Sequence, residues 1–319
     1  MLRFYPAEKT ILMTVAAIGL SAVVLAQTKG IAVDYTLFIK PALAALVFVA
    51  LGQMLRRTGQ YERPALLTTL IGIFAFDALV FSTYNVMLLP RHMAPVDEML
   101  VRIDAYLGYS WPEFATWVSR HPWLADALRA VYNKTLVFLL LGYCVLAVAG
   151  RRERLHMAAY TSLFASLITI GLWSAFPSAG ASGFWTLDPA VDAIVRAPVN
   201  SEYGARLNAL IVHGVHDMKE LNVGGLIGFP SYHTVMIAVA AIAVWPFAWL
   251  RWIGAALLAV TIPSILLHGG HNLVDVLAGA LITATSWAIA TKVHAVQELR
   301  PLVWRQASQV ETAAVVPAE

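Results

Sequence analysis

Ser264-Ile265-Leu266-Leu267-His268-Gly269-Gly270-His271-Asn272-Leu273-Val274-Asp275-Val276-Leu277 joins two long apolar runs through a short polar knot. The flanking runs, 252–267 and 273–293, approach the ~20 residues needed to cross a hydrocarbon core of roughly 30 Å. A second knot, Phe229-Pro230-Ser231-Tyr232-His233, opens another apolar run at 231–248. Taking ionisable side chains out of water costs several kcal/mol unless they are paired or used, so both knots are candidate functional sites.

Working outward, five more runs can each span a membrane: 10–26, 36–55, 65–89, 131–150 and 157–176. Of the 319 residues 59% are hydrophobic and 13% charged, against about 25% charged in a soluble domain. The fold class is therefore all-α, a polytopic membrane bundle of about eight transmembrane helices. Pro263 predicts a kink in the shortest run. A formal charge of +3 is too small to point to nucleic acid. Cys144 is the only cysteine, which excludes an internal disulfide and a thiolate metal site.

Charge placement sets the expected orientation. Arg56, Arg57 and Arg63, then Arg151-Arg152-Glu153-Arg154, then Arg251, then Lys292, Arg300 and Arg305 fall in alternate connections or after the last run. Basic short loops stay cytoplasmic, so both termini are expected inside and both polar knots outside, in the plasma (inner) membrane. Two outer connections are long. Residues 90–130 carry Trp111, Phe114, Trp117 and Trp123, which suits short amphipathic helices at the interface or packing helices over the bundle. Residues 178–230 read as a cap or vestibule. The first run, with Arg3 and Lys9 before it, reads as a span or as a cleavable signal segment.

The knots have a chemical reading and a bland one. Pro230 suits a first helical turn, where the free N–H groups of Ser231, Tyr232 and His233 would face an anion. His271 and Asp275 are four apart, so on a helix the carboxylate can accept the imidazole N–H and leave the other nitrogen nucleophilic. With His233 as a second imidazole, this is the equipment for phosphoryl transfer through a histidine. Against it, Asn272 with Asp275 makes an ordinary helix cap, and Pro230-Ser231 an ordinary helix start. A zinc shell of His233, His268, His271 and Asp275 is a further option, though no paired-histidine motif appears; no metal and no cofactor are expected.

These residues resemble the type 2 phosphatidic acid phosphatase superfamily. Pro230-Ser231-Tyr232-His233 is similar to its P-S-G-H motif, and His271 with Asp275 to its H-x-x-x-D motif. The resemblance implies a six-helix core at 61–295, preceded by a helix pair at 1–60 and followed by a disordered cytoplasmic tail at 296–319. It implies His271 as nucleophile, Asp275 as its orienter, His233 as general acid and Ser231 as a phosphate ligand. Two departures stand out: the serine-arginine pair before the nucleophile is Ser264-Ile265, and the K-x-x-x-x-x-x-R-P motif survives at best as Phe176-Pro177. Tyr232 in place of glycine and the missing arginine look like the branch of inositol phosphorylceramide and sphingomyelin synthases. Residues 104–111 weakly resemble a segment of that branch.

The expected function is an integral-membrane lipid phosphotransferase that passes a phospho-headgroup from a membrane lipid to a lipid alcohol. The alternative acceptor is water, which would make it a lipid phosphate phosphatase. The phosphate's charge would fall to Tyr232 through its backbone and to Lys219 or Arg206, with Lys134, His213 and His216 as further options. Asp77 and Lys40 are unusual at membrane depth and suit either pairing within the bundle or substrate contact. A proton-coupled transporter is the rival from another class, disfavoured because the ionisable residues gather at one mouth.

Overall fold

A computed structural model describes residues 3–218 and 225–313. Three long helices come first: α1 (Pro6–Lys29), α2 (Thr36–Thr58) and α3 (Glu62–Met87). Short helices α4 (Asp97–Tyr106), α5 (Trp111–Ser119) and α6 (Pro122–Tyr132) lead into α7 (Thr135–Val148) and α8 (Arg152–Ala175). A second group of short helices, α9 (Ala181–Phe184), α10 (Pro189–Val195) and α11 (Ser201–His213), precedes α12 (Tyr232–Val244), α13 (Leu250–His268) and α14 (Leu273–Ala313). No strand is formed among the described residues; one isolated bridge pairs Ala32 with Asp217. The chain is an all-α polytopic bundle.

Each of the eight expected runs became a helix, but not all are alike. Six are long and apolar enough to cross a membrane alone: α1, α2, α3, α8, α13 and the Leu273–Gln297 part of α14. Helix α7 has 14 residues and continues from α6 through a 51° bend, and α12 has only 13. At 1.5 Å per residue both fall short of the hydrocarbon thickness. Their shortness has a cause at the sequence level, because the knot at 229–233 begins α12 late and Asn133-Lys134 interrupts the apolar run before α7. Helix α13 continues through Pro263.

The apolar surface is apportioned as lipid solvation requires. Leu20 on α1 and Leu43, Val47 and Leu51 on α2 are exposed, where the surrounding solvent is hydrocarbon rather than water. Inside, Leu70, Ile73, Leu139, Tyr143, Leu163 and Val239 form one core shared by α3, α7, α8 and α12. Helix α14 packs along α8 and α12, and α2 along α3.

The short helices divide the two readings of residues 90–130 between them. Trp111 is fully buried and its indole N–H donates to the Leu266 carbonyl at 3.0 Å, so α5 is a packing helix there. Trp117 and Trp123 are exposed, as interfacial residues would be. Helices α9 to α11 cap the same end of the bundle: Val199 N–H donates to the His268 carbonyl at 3.3 Å and Ser182 N–H to Gly270 at 3.2 Å.

Candidate active site

Three loops meet at that end: residues 176–182 after α8, 228–231 before α12 and 269–272 between α13 and α14. Glycine makes the approach possible. A Cβ on Gly228 would lie 2.4 Å from the Gly180 nitrogen and 2.5 Å from the Ser178 oxygen. Gly180 itself has φ +80°, and a Cβ there would sit 2.6 Å from the Gly270 carbonyl oxygen. Side chains at either position would force the loops apart.

Helix α4 holds two of these loops with carboxylates seven residues apart on one helix face. Asp97 accepts from Ser178 Oγ at 2.6 Å and from the N–H groups of Ala179 and Gly180, each at 3.0 Å. Asp104 accepts from Leu273 N–H at 2.8 Å and Val274 N–H at 2.9 Å. It therefore caps α14 from outside that helix and satisfies donors that have no partner in a first turn. Burial raises the carboxyl pKa of both aspartates above the ordinary range, and the hydrogen bonds they accept pull it back. Sequence reading missed Asp97 altogether and met Asp104 only within a weak resemblance.

His271 lies in the third loop, buried, between two acceptors. Its Nδ1 is 2.8 Å from the Gly228 carbonyl oxygen and 3.2 Å from Asp275 Oδ2. A carbonyl oxygen only accepts, so Nδ1 carries the proton and donates. The neutral ring then has its lone pair on Nε2. Burial holds the imidazole pKa down at about 4, against the Gly228 bond, which favours the protonated form. The ring is a neutral base near neutral pH.

Asp275 faces His271 and caps the helix start at once. Its Oδ2 accepts from the Asn272 N–H at 2.8 Å, as a helix-start carboxylate does, and also faces His271. Its backbone carbonyl takes the Ser231 N–H at 3.0 Å, which ties α14 to the start of α12. Oδ1 remains buried without a partner among the described residues, as do Asn272 Nδ2 and Ser182 Oγ.

The first knot differs in detail from its sequence reading. Pro230 is not in the first turn of α12: Ser231 is the N-cap, its buried hydroxyl accepting from Thr234 N–H at 3.4 Å. The proline lies one residue outside because the serine oxygen competes for the capping position. Tyr232 and His233 thus occupy the first two helical positions, whose N–H groups lack intrahelical partners. The Tyr232 side chain turns inward to Ser166, with Oγ at 2.9 Å, which leaves only its backbone for an anion. His233 stacks on Tyr132 at 4.5 Å between centroids, and its ring stands 6.4 Å from that of His271.

Other candidates are placed elsewhere. His268 donates from Nε2 to the Ala125 carbonyl at 2.9 Å, so the four-residue set considered for zinc is not assembled. Arg206 pairs with Glu202 at 2.8 Å on exposed α11. Lys134, His213, His216 and Lys40 are exposed, and Lys219 lies outside the described residues. Ile265 is fully buried, and Ser264 donates to the Thr261 carbonyl at 2.8 Å. One cation escaped notice. Arg91 stacks over Trp173 at 4.1 Å and reaches Ser174 and, at 3.1 Å, Asn85. No carboxylate pairs with it among the described residues, and burial lowers the pKa of its guanidinium to about 10. Its only signal in the sequence was an arginine just after the C-terminal end of the third run.

The part of the chain that builds this site, on an all-α membrane bundle, matches a known family. The model of the PAP2 superfamily matches residues 98–289, which is well over half of the chain. The chain therefore belongs to the PAP2 superfamily, whose members are phosphatases and phosphotransferases in general. The match starts in α4 and contains both knots; α1 to α3 precede it. No curated protein and no solved structure matches the chain.

Proposed function

We propose that this protein transfers a phosphoryl or phospho-headgroup from a membrane lipid to a lipid alcohol, with His271 as nucleophile. The observation that carries this reading is the bond from His271 Nδ1 to the Gly228 carbonyl. It fixes the tautomer that leaves Nε2 with a lone pair, and Asp275 supports the positive charge that develops on the ring.

In the first step Nε2 attacks phosphorus, an N–P bond forms and the bond from phosphorus to the leaving oxygen breaks. His233, across the 6.4 Å gap and entering this step as imidazolium, gives that oxygen its proton and becomes neutral. In the second step His233 takes the proton from an acceptor hydroxyl, whose oxygen attacks phosphorus and releases His271. The free N–H groups of Tyr232 and His233 stabilise the equatorial oxygens. Arg91 is the cation best placed to take over from the arginine replaced by Ile265, since it lies behind Asn85 in the wall of the cavity that His233 also lines.

Transfer to a lipid alcohol is preferred over hydrolysis because that cavity, of about 280 Å³, has largely apolar walls. The test is to incubate purified protein with labelled phospholipids and lipid phosphates, with and without ceramide or diacylglycerol, and separate the products. A labelled new lipid is the expected result. Free phosphate alone, released at good turnover with every acceptor, overturns the transferase reading.

A further inference from the structure

The cavity beside His233 runs along α3. Phe74, Phe81, Ile170 and Ile227 supply apolar wall, and Asp77 is part of the lining. Asp77 is 4% exposed, and its Oδ1 has no hydrogen-bond partner among the described residues. It is fifteen residues from Glu62 and ten from Met87 along α3. At about 1.5 Å per residue that is roughly mid-membrane. No basic side chain forms an ion pair with it among the described residues. A carboxyl at that depth, unpaired and facing a cavity, is an expense that a ligand can offset.

The α3 face is ordered by height. Asp77, Phe81 and Asn85 follow at four-residue steps and all line the cavity, with Asn85 anchored by Arg91 at 3.1 Å. Asn85 is therefore about 12 Å above Asp77 along the helix. The upper end offers Asn85, held by Arg91 outside the lining, the middle offers hydrocarbon contact, and the lower end offers Asp77, while His233 also lines the cavity. A simple hydrocarbon chain would leave Asp77 unsatisfied.

We infer that this cavity binds the lipid alcohol acceptor and that Asp77 is its specificity residue, selecting amphiphiles that carry a second hydroxyl besides the reacting one. Either protonation state of a carboxyl can bond a hydroxyl, by accepting or by donating. The inference rests on the transferase reading for the name acceptor, but binding itself does not depend on turnover. A structural role is the competing account, because the other side of Asp77 borders a small void near Tyr143 and Ser162.

The test uses purified full-length protein and two probes of equal chain length, 1-tetradecanol and 1,10-tetradecanediol, whose second hydroxyl lies about 12 Å from the first when the chain is extended, with affinity read from ligand-induced thermal stabilisation. Wild type is expected to bind the diol about tenfold more tightly, the effect of one hydrogen bond to a carboxyl. Asp77→Leu should bind both probes alike, while the closer isostere Asp77→Asn should fold as wild type and retain part of the preference. Ala78→Phe, which fills the cavity from its wall, should weaken both probes. His271→Ala should keep the wild-type preference while losing turnover; if it retains turnover, the histidine mechanism fails and the pocket stands. A wild type that binds neither probe or shows no preference, or a preference that survives Asp77→Leu, overturns the inference.

Discussion

Helix α8 has a buried carboxylate cluster near each end, and the two are built differently. Near its start, Glu8 is fully buried and held by Arg56 through both oxygens, at 2.8 and 2.9 Å. Tyr5 N–H adds a bond at 2.8 Å, and His156 stands 3.9 Å away. Beyond its far end, fully buried Asp275 faces His271 at 3.2 Å and leaves one oxygen without a partner among the described residues. A guanidinium is permanently charged and has no lone pair to offer, so the first cluster can only hold helices together. A buried imidazole held by a carbonyl at Nδ1 stays neutral and keeps a lone pair on Nε2, so the second can do chemistry. The partner of the carboxylate decides whether the cluster is a clamp or a site.

The comparison breaks most sharply at the two nitrogen bases. His271→Ala is expected to lower turnover by about 10⁴ or more, as for members of a catalytic unit, with a melting temperature within a few degrees of wild type. Arg56→Leu should do the reverse. It leaves Glu8 uncompensated and costs about 3–5 kcal/mol of stability, while the kinetics of the folded fraction stay unchanged. The double variant Glu8→Gln with Arg56→Met should regain most of that loss. Kinetics and denaturation on the same samples would show whether the two roles separate.

Asp275→Asn should cost less than loss of the nucleophile, about 10²–10³ in kcat, because Gly228 still fixes the His271 tautomer. A loss as large as that of His271→Ala would show that the carboxylate, not the carbonyl, orients the ring. Asp104→Ala removes an external cap and should lower stability by about 1–2 kcal/mol, with a partial loss of kcat as the start of α14 loosens.

The smallest effect is in pH. His271, with its pKa held at about 4 in the folded protein against an ordinary value of about 6.5, binds its proton later than the unfolded chain does. Its contribution to stability is therefore present above pH ~6.5 and is lost as pH falls towards about 4. The acid limb of kcat/KM should lie nearer 4 than 6.5. A limb near 6.5 would mean that the ring is more hydrated than the burial of this site implies.

Much of this was legible in the sequence because its causes are local. Apolar run length gave eight helical runs, of which six are long enough to cross a membrane alone and a seventh when α6 and α7 are one bent span, and the four-residue spacing of His271 and Asp275 gave their contact. What escaped is non-local. Asp97 acts on residues 81 to 83 positions away, and Asp104 on residues 169 and 170 away; no periodicity records such pairings. The tautomer of His271 depends on Gly228, 43 residues earlier, through glycine packing that only the meeting of three loops reveals. Pro230 falls two residues before the first helical position because Ser231 is the better cap. Arg91 was passed over because its partners, Asn85, Trp173 and Ser174, belong to two different helices.

The central claim is that His271 Nε2 becomes bonded to phosphorus. Wild-type protein mixed with phosphatidic acid radiolabelled in its phosphate, quenched within one turnover and kept alkaline, should carry an acid-labile, alkali-stable label on the peptide containing His271. His271→Ala should carry none. Full turnover with no protein-bound label, or a label on another residue, would contradict the account.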